Sequence, residues 1–439
     1  MSKRVYVETY GCQMNVADSE IILGHLGREG YQVIGDPATA DVMLVNTCAV
    51  RDNAEQRVIG RMGELKRHKR PGVVLGVVGC MAQRLGPALL DDAPHVDLVV
   101  GPDGYRGLPD LIAAAQTGER MADVEFKAWE HYQDVPQRRP EGQPSAFVTV
   151  QRGCDYRCTF CVVPMTRGRE RSRTLHDVVS EVRGLSADGV TEVTLLGQTV
   201  NSYRDGEKDF ADLLRAVGDV KGIRRVRFTS PYPSDFTDRT IRAMAEVEAV
   251  CEHVHLPVQS GSSRILKRMG RRYNRDEYGR CVERLRAAIP SLAITTDIIV
   301  GFPGESEEDF AETMDLVRAI GFDDAFTFKY SPRGGTGALR LPNHVPDHVA
   351  GERLQRLIAV VRQGAQRINV ALVGTVHEVL VEKRARRGGR LQTRTRANKV
   401  VLVEGPPEWI GTYREVRLVG TTGATFTGVL SKRGLSVVG

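Results

Sequence analysis

Short apolar runs separated by amphipathic stretches organise most of the chain. Arg4–Thr9, Asp41–Asn46, Val73–Val78 and Val96–Val100 read as strands, with helical patterns at Ala17–Glu29 and Asn53–His68 between them. Strands alternating with helices predict a doubly wound parallel sheet over residues 1–120. Residues 121–145 break the rhythm: Pro136, Pro140 and Pro144 among Arg138, Arg139, Glu141 and Gly142 predict an exposed linker. A second series fills 146–371, with strands expected at Phe147–Gln151, Glu192–Leu196, Arg225–Thr229, His253–Val258, Ile294–Val300 and Ala325–Lys329. Six β/α units predict a partial (β/α)6 barrel whose working loops follow the strand C-termini. From 372 to 439 the pattern shifts to short β runs with Gly-rich turns, at Val376–Lys383, Lys399–Val403, Thr412–Val419 and Ala424–Leu430. Such a segment suits a small OB-like β-barrel.

Composition narrows this picture. At 439 residues, 41% hydrophobic and 26% charged, the α/β chain is that of a globular protein of two to three domains. No apolar run approaches the roughly 20 residues of a membrane span, and the N-terminus lacks a signal-peptide h-region, so a cytoplasmic protein is expected. A monomer is expected separately from these features. The net charge of +6 is uneven. Leu372–Gly439 carries twelve Lys/Arg against five Asp/Glu, leaving −1 for the 371 residues before it. A basic C-terminal segment predicts a phosphate-binding module.

Eight cysteines are too few for a disulfide framework, which favours metal or catalytic roles. Three fall in the run Gly153-Cys154-Asp155-Tyr156-Arg157-Cys158-Thr159-Phe160-Cys161. Four-iron clusters are normally held by four cysteines; three in a C-x3-C-x2-C loop leave one iron open to a ligand. A zinc knuckle would need a second paired element, and none follows. Cys12, Cys48 and Cys80 each follow one of the first three expected strands, placing them on the carboxyl edge of one sheet, where open α/β sheets bind ligands. Three convergent thiolates again fit a cluster with an open iron, although buried free cysteines also serve as small hydrophobes. Cys251 and Cys281 have no such company and read as packing residues.

The C-x3-C-x2-C run resembles the signature of the radical S-adenosylmethionine enzymes. Together with Thr9-Tyr10-Gly11-Cys12-Gln13-Met14-Asn15, Asn46-Thr47-Cys48-Ala49-Val50-Arg51 and Gly79-Cys80-Met81-Ala82-Gln83, it resembles the methylthiotransferases of that superfamily. Within them the first cysteine word and the run Val50–Arg57 are most similar to the branch acting on N6-dimethylallyl-adenosine in tRNA. Branches acting on threonylcarbamoyl-adenosine in tRNA, or on a ribosomal-protein aspartate, remain alternatives, as does a zinc-stabilised RNA-binding protein without catalysis. The resemblance implies a C-terminal TRAM domain, two [4Fe-4S] clusters and S-adenosyl-L-methionine as cofactors. Its partners would be a tRNA anticodon loop, an external electron donor and a sulfur source.

Cys154, Cys158 and Cys161 would then hold the cluster that cleaves S-adenosylmethionine, and Cys12, Cys48 and Cys80 an auxiliary cluster carrying the inserted sulfur. Gln198 and Asn201 after the second barrel strand, and Gln259 after the fourth, are candidate cofactor contacts. Gly301, Pro303 and Gly304 join them through the family's G-x-P-G-E element, although the same run suits a plain strand–turn–helix connection. Lys383, Arg384, Arg386, Arg387 and Arg394, with Arg396 and Lys399 beyond, form the candidate RNA grip. Arg333 of Ser331–Ala338 is added to it, and Arg167, Arg169, Arg171 and Arg173 are expected to clamp anticodon-loop phosphates. Gly334 and Gly337 stand where the family usually carries proline, which predicts a looser loop.

Overall fold

The computed structural model describes residues 3–49, 52–135, 137–140, 142–386 and 388–431. Arg387 of the basic stretch, Val50 and Arg51 of the second cysteine word, Pro136 and the last eight residues lie outside them. Six strands, Arg4–Tyr10, Gln32–Val33, Val42–Thr47, Val74–Gly79, Leu98–Val100 and Met121–Asp123, form an all-parallel sheet in the spatial order 2-1-3-4-5-6. All six residues of Val42–Thr47 and of Val74–Gly79 are buried. Side chains alternate across the sheet, so Val42 and Leu44 pack on one face while Met43 and Val45 pack on the other. The strand order reverses between Arg4–Tyr10 and Val42–Thr47. Cys12 and Cys48 follow these two strands, and so flank the switch point where such sheets bind ligands.

The predicted linker is a correction. Met121–Asp123 pairs with Leu98–Val100 as the sixth strand, and Tyr132 and Val135 are buried in the N-terminal core. Glu130 is also buried, held by Arg106 at 2.8 Å. Local prolines and charges concealed three inward-facing groups that only tertiary packing reveals.

The central region consists of two three-stranded parallel sheets: Ser145–Thr149, Glu192–Leu196 and Arg225–Phe228, then His253–His255, Ala293–Val300 and Asp324–Lys329. A Val226–Val250 bridge links them. No pairing joins the first and sixth strands among the described residues, so the barrel is open. Helix Gln13–Arg28 packs on the first two of these strands, where Met14 and Ala17 meet Phe147 and Leu196. Helix Asp347–Ala371 lies against the sixth strand.

Five C-terminal strands close into a small barrel in the order Val376–Arg384, Leu391–Thr395, Val400–Val403, Thr425–Leu430, Tyr413–Thr421, around Val379, Val401, Val416 and Phe426. Leu391–Thr395 was not expected from its polar sequence; it alternates inward Leu391, Thr393 and Thr395 with outward Gln392 and Arg394. This barrel docks at the N-terminal ends of the central strands. Arg225 is 0% exposed and donates to the Arg394 carbonyl at 2.8 Å and the Glu378 carbonyl at 3.0 Å. Arg227 donates to the carbonyls of Arg396 and Thr395, both at 2.8 Å.

Candidate functional site

The three N-terminal cysteines are placed by helix starts and by two asparagines. Cys12 caps helix Gln13–Arg28, and the Asn15 side-chain carbonyl accepts from both its backbone N–H (3.3 Å) and its thiol (3.4 Å). The Asn15 amide donates to Asn46 Oδ1 at 3.1 Å, and the Asn46 amide donates to the Asn15 carbonyl at 2.8 Å and to Ser19 Oγ at 2.9 Å. Gly11 has φ +148°, and a Cβ there would sit 2.8 Å from Cys48 Cβ. Gly79 has φ +92°, and its Cβ would sit 2.4 Å from Asn46 Oδ1. Any side chain at either glycine would push the strand ends apart. Cys80 then opens helix Cys80–Leu85.

Charge is concentrated behind this trio. Buried Asp18 accepts from Arg152 at 3.0 Å, Arg167 at 2.7 Å and the Tyr105 hydroxyl at 3.2 Å. Burial pushes the Asp18 carboxyl up, but Arg167 and Arg152 more than reverse this and leave it below the usual carboxylate range. A hydrogen bond from Cys48, reinforced by the Arg167 charge, brings the Cys12 thiol down to about 6. Burial pushes Cys80 up, opposed by Arg167.

The second trio lies on a loop whose path is fixed by close backbone contacts. Gly153 has φ +77°, and a Cβ would fall 1.9 Å from the Arg169 carbonyl oxygen. Cys154 N–H donates to the Gly168 carbonyl (3.2 Å), Thr159 N–H to that of Met269 (2.9 Å), and Val163 N–H to Cys161 Sγ (3.5 Å). Arg271 Nη1 donates to Cys158 Sγ at 3.3 Å. Burial pushes the Cys154 thiol up to about 11 and that of Cys161 to about 12.

The two trios face each other. Ala49 and Cys80 are buried with Val162, directly after Cys161, and Met165 packs on them. Arg333 is buried in the loop after the last barrel strand, where Cys48 opposes the downward pull of burial on its guanidinium. The same loop reaches the second trio through Ala338 N–H, which donates to the Thr159 carbonyl at 2.7 Å. Arg333 is therefore buried beside Cys48 rather than on an outer RNA-facing surface. Thr336 Oγ1 and N–H close this turn on the Arg333 carbonyl at 2.8 and 3.2 Å, which offsets the expected looseness from Gly334 and Gly337.

No three Cys, His, Asp or Glu side chains among the described residues form a group suited to one metal ion. A cluster is a broader object, held by thiolates at separate corners. Two sets of three thiols on rigid strand ends and a tight loop suit that donor chemistry. Buried Arg167 Nη1, without a hydrogen-bond partner, supplies a donor toward an anionic group beside Cys80 and Cys12.

The other expected contacts divide. Gln198 Oε1 is a buried acceptor with no partner, open to a ligand. Asn201 is not open: its side chain donates to the Tyr232 carbonyl (2.9 Å) and accepts from Tyr232 N–H (2.7 Å). Gln259 adopts φ +71° and pairs by its backbone with the fifth strand, Ala293–Val300. Gly301 and Gly304 have local packing reasons for lacking a side chain. A Cβ on Gly301 would lie 2.5 Å from Ala350 Cβ, and one on Gly304 2.9 Å from the Arg268 guanidinium. The Pro303 carbonyl accepts from Arg268 at 3.0 Å. Glu305, closing the element, holds Gly301 N–H at 2.6 Å and Arg353 at 2.9 Å.

The basic residues divide as well. Lys383, Arg384 and Arg386 are exposed, with no ion-pair partner among the described residues. Arg394 is committed to Glu382 and Asn398, Arg396 to Glu252 at 2.7 Å, and Lys399 to Asp323 at 2.8 Å. Arg171 pairs with Asp103 and Arg173 with Glu181, and Arg167 with Asp18, so only Arg169 of the expected clamp is exposed. Asn15, Asn46, Asp18 and Arg271 were not anticipated. The two asparagines stand inside the cysteine words, a signal that was available; Asp18 and Arg271 look like ordinary helix and turn charges.

Comparison with known proteins places these features in a family. Residues 4–101 match the "Uncharacterized protein family UPF0004", 148–317 the radical SAM superfamily, and 370–429 the TRAM domain. The chain is 46% identical over 426 residues, 95% of its length and 90% of the relative's, to a tRNA-2-methylthio-N(6)-dimethylallyladenosine synthase of Caldicellulosiruptor saccharolyticus. It is also 46% identical to one of Alkalilimnicola ehrlichii, covering 95% of each chain. Among solved structures its fold is similar to that of the radical S-adenosylmethionine methyltransferase TsrM of Kitasatospora setae, with TM-score 0.58 and 18% identity over 77% of each chain. It is also similar to the cobalamin-dependent radical enzyme OxsB, with TM-score 0.55 and 12% identity over 83% of this chain and 57% of that one. The chain belongs to the radical S-adenosylmethionine superfamily and, within it, to the tRNA-2-methylthio-N(6)-dimethylallyladenosine synthase family.

Proposed function

We propose that this enzyme replaces the hydrogen at C2 of N6-dimethylallyl-adenosine, next to a tRNA anticodon, by a methylthio group. The observation that carries the reading is the opposition of two cysteine trios, one at the switch point of a parallel sheet and one on the barrel loop. An aromatic C–H offers neither acidity nor electrophilicity, so the chemistry must come from a radical-forming cofactor that the protein orients. Cys154, Cys158 and Cys161 would hold one [4Fe-4S] cluster, and Cys12, Cys48 and Cys80 a second. With S-adenosylmethionine bound, these groups supply the radical and the sulfur.

The chain's own residues do the rest. Asn15 and Asn46 tie two of the cysteine strand ends together, so the auxiliary thiols are fixed before loading. Asp18 binds Arg152 and Arg167, locking the N-terminal sheet onto the barrel across the site. Gln198 offers a desolvated acceptor to an N–H or O–H of the cofactor or base. Arg333 brings positive charge beside Cys48. Exposed Lys383, Arg384 and Arg386 would bind RNA phosphates, and the target base would unstack from its single-stranded loop to reach the trios. No helix among the described residues is long and apolar enough to cross a membrane. We assign the enzyme to the cytoplasm as a monomer served by an external electron donor and a sulfur source.

Mass spectrometry of tRNA nucleosides tests the reading. A deletion strain should accumulate the dimethylallyl nucleoside and lose its methylthio derivative, and unchanged methylthio nucleoside would sink the assignment. Anaerobically loaded protein should contain about eight irons per chain, as two four-iron clusters require.

A further inference from the structure

We infer that Arg271 is the counter-charge of the barrel cysteine loop, setting the potential at which a four-iron cluster there accepts an electron. This rests on the reading that Cys154, Cys158 and Cys161 hold such a cluster. Arg271 stands on the turn after helix Ser263–Arg268, and that turn is pressed onto the cysteine loop. Gly270, at φ +72°, could not carry a Cβ without bringing it 3.0 Å from the Arg157 carbonyl oxygen and 3.6 Å from Cys158 Cα.

The guanidinium is fixed on several sides. Nη1 donates to Cys158 Sγ at 3.3 Å and Nε to the Tyr273 hydroxyl at 2.9 Å. Its centre lies 4.2 Å from the Tyr232 ring centroid and 4.9 Å from that of Tyr273. Tyr273 is itself buried and anchored to the Pro257 carbonyl at 2.9 Å, so the cation sits in a rigid aromatic clamp.

What the clamp lacks is a carboxylate. Arg152, Arg167, Arg173, Arg227 and Arg353 are buried and each reaches an acidic side chain, whereas no ion pair includes Arg271 among the described residues. A cation held largely out of water without an anion is unfavourable. The sulfur its guanidinium reaches is that of Cys158, which as a cluster ligand would be anionic. A hydrogen bond to a cluster sulfur, with a fixed positive charge behind it, favours the more negative, reduced state and raises the potential. The step concerned is uptake of one electron from an external one-electron donor, and no bond to Arg271 forms or breaks. Arg271 is thus a positioning residue acting through Cys158.

The test uses the full chain with Cys12, Cys48 and Cys80 replaced by alanine, so that one cluster remains, titrated anaerobically and followed by electron paramagnetic resonance. In Arg271→Gln the reduced-to-oxidised ratio at a fixed poise should fall about tenfold, which for one electron is 59 mV. Arg271→Lys, which keeps the charge but not the planar fork, should recover about half of that shift. Full iron with an unchanged potential in the Gln variant overturns the proposal. If the Gln variant holds no iron, the Lys variant decides: a fall of about threefold supports the proposal and an unchanged potential overturns it. A parent protein without about four irons, before any change at Arg271, overturns the cluster assignment itself.

Discussion

Replacing Asp18 by asparagine should loosen the N-terminal sheet from the barrel more than any other single near-isosteric change. Asp18 is fully buried and is the carboxylate ion-paired with both Arg152 and Arg167, which are nearly buried themselves. Asparagine fits the space but leaves two guanidiniums with one carbonyl oxygen between them. Breaking a buried pair by removing one partner costs about 3–5 kcal/mol. For a unit of 150–250 residues, each kcal/mol lowers the midpoint by roughly 2–4 °C, so a fall of about 6–20 °C is expected. Calorimetry on iron-free protein under nitrogen would read it, with the N-terminal transition separating from that of the barrel. Because the folded carboxyl lies below the unfolded one, its contribution is present above the unfolded pKa and is lost as pH falls through the folded value. The wild-type advantage over Asp18→Asn should therefore persist from pH 8 to pH 5. Substituting all three charges by Leu and Met should regain most of the loss, since packed apolar groups replace buried pairs at little cost. An Asn variant within about 0.5 kcal/mol of wild type at pH 7 would refute the reasoning, because surface changes commonly fall in that range.

Three other outcomes are expected. Burial pushes Glu305 up to about 7 from 4.5, so its contribution is full below about pH 4.5 and is lost as pH rises through 7. Between pH 5 and 8 the wild type should lose on the order of 3 kcal/mol more stability than Glu305→Gln, measured by urea unfolding, and parallel pH profiles would count against this. Gly153→Ala meets a carbonyl oxygen at 1.9 Å and a positive φ, so anaerobic loading should yield about half the wild-type iron; full loading would contradict the role given to this glycine. Changing Lys383, Arg384 and Arg386 together to alanine should leave folding intact and lower the salt slope of tRNA binding by about 2–3; an unchanged slope would remove these residues from the RNA grip.

What was legible in the sequence follows from how local each signal is. The strand ends bearing Cys12, Cys48 and Cys80 could be read because apolar runs stop at a glycine or threonine just before each thiol. That pattern survives without knowledge of packing. The arginines could not be sorted, because Arg169 is exposed just before the short strand Arg171–Ser172 while Arg171 finds Asp103 across the interface, a partner far off in sequence. Asn201 looked like a ligand because it ends a barrel strand, yet both ends of its amide serve the backbone of Tyr232. Residues 121–145 misled through composition: proline and charge dominate, while a few residues such as Tyr132 and Val135 carry the packing. The glycines of Gly301–Gly304 pointed to close approach, which occurs, but toward Ala350 and Arg268.

The long helix between the catalytic body and the basic barrel has a metric consequence. Near its start Arg353 is anchored to Glu305, and it ends where Asn369 meets Gly423 of the small barrel. Its 25 residues at about 1.5 Å each make a strut of roughly 37 Å. The small barrel is bolted to the opposite end of the central strands by Arg225 and Arg227, so this strut neither swings nor telescopes freely. An RNA held by Lys383, Arg384 and Arg386 and modified between the trios, as proposed above, would therefore have to span a fixed rather than an adjustable distance.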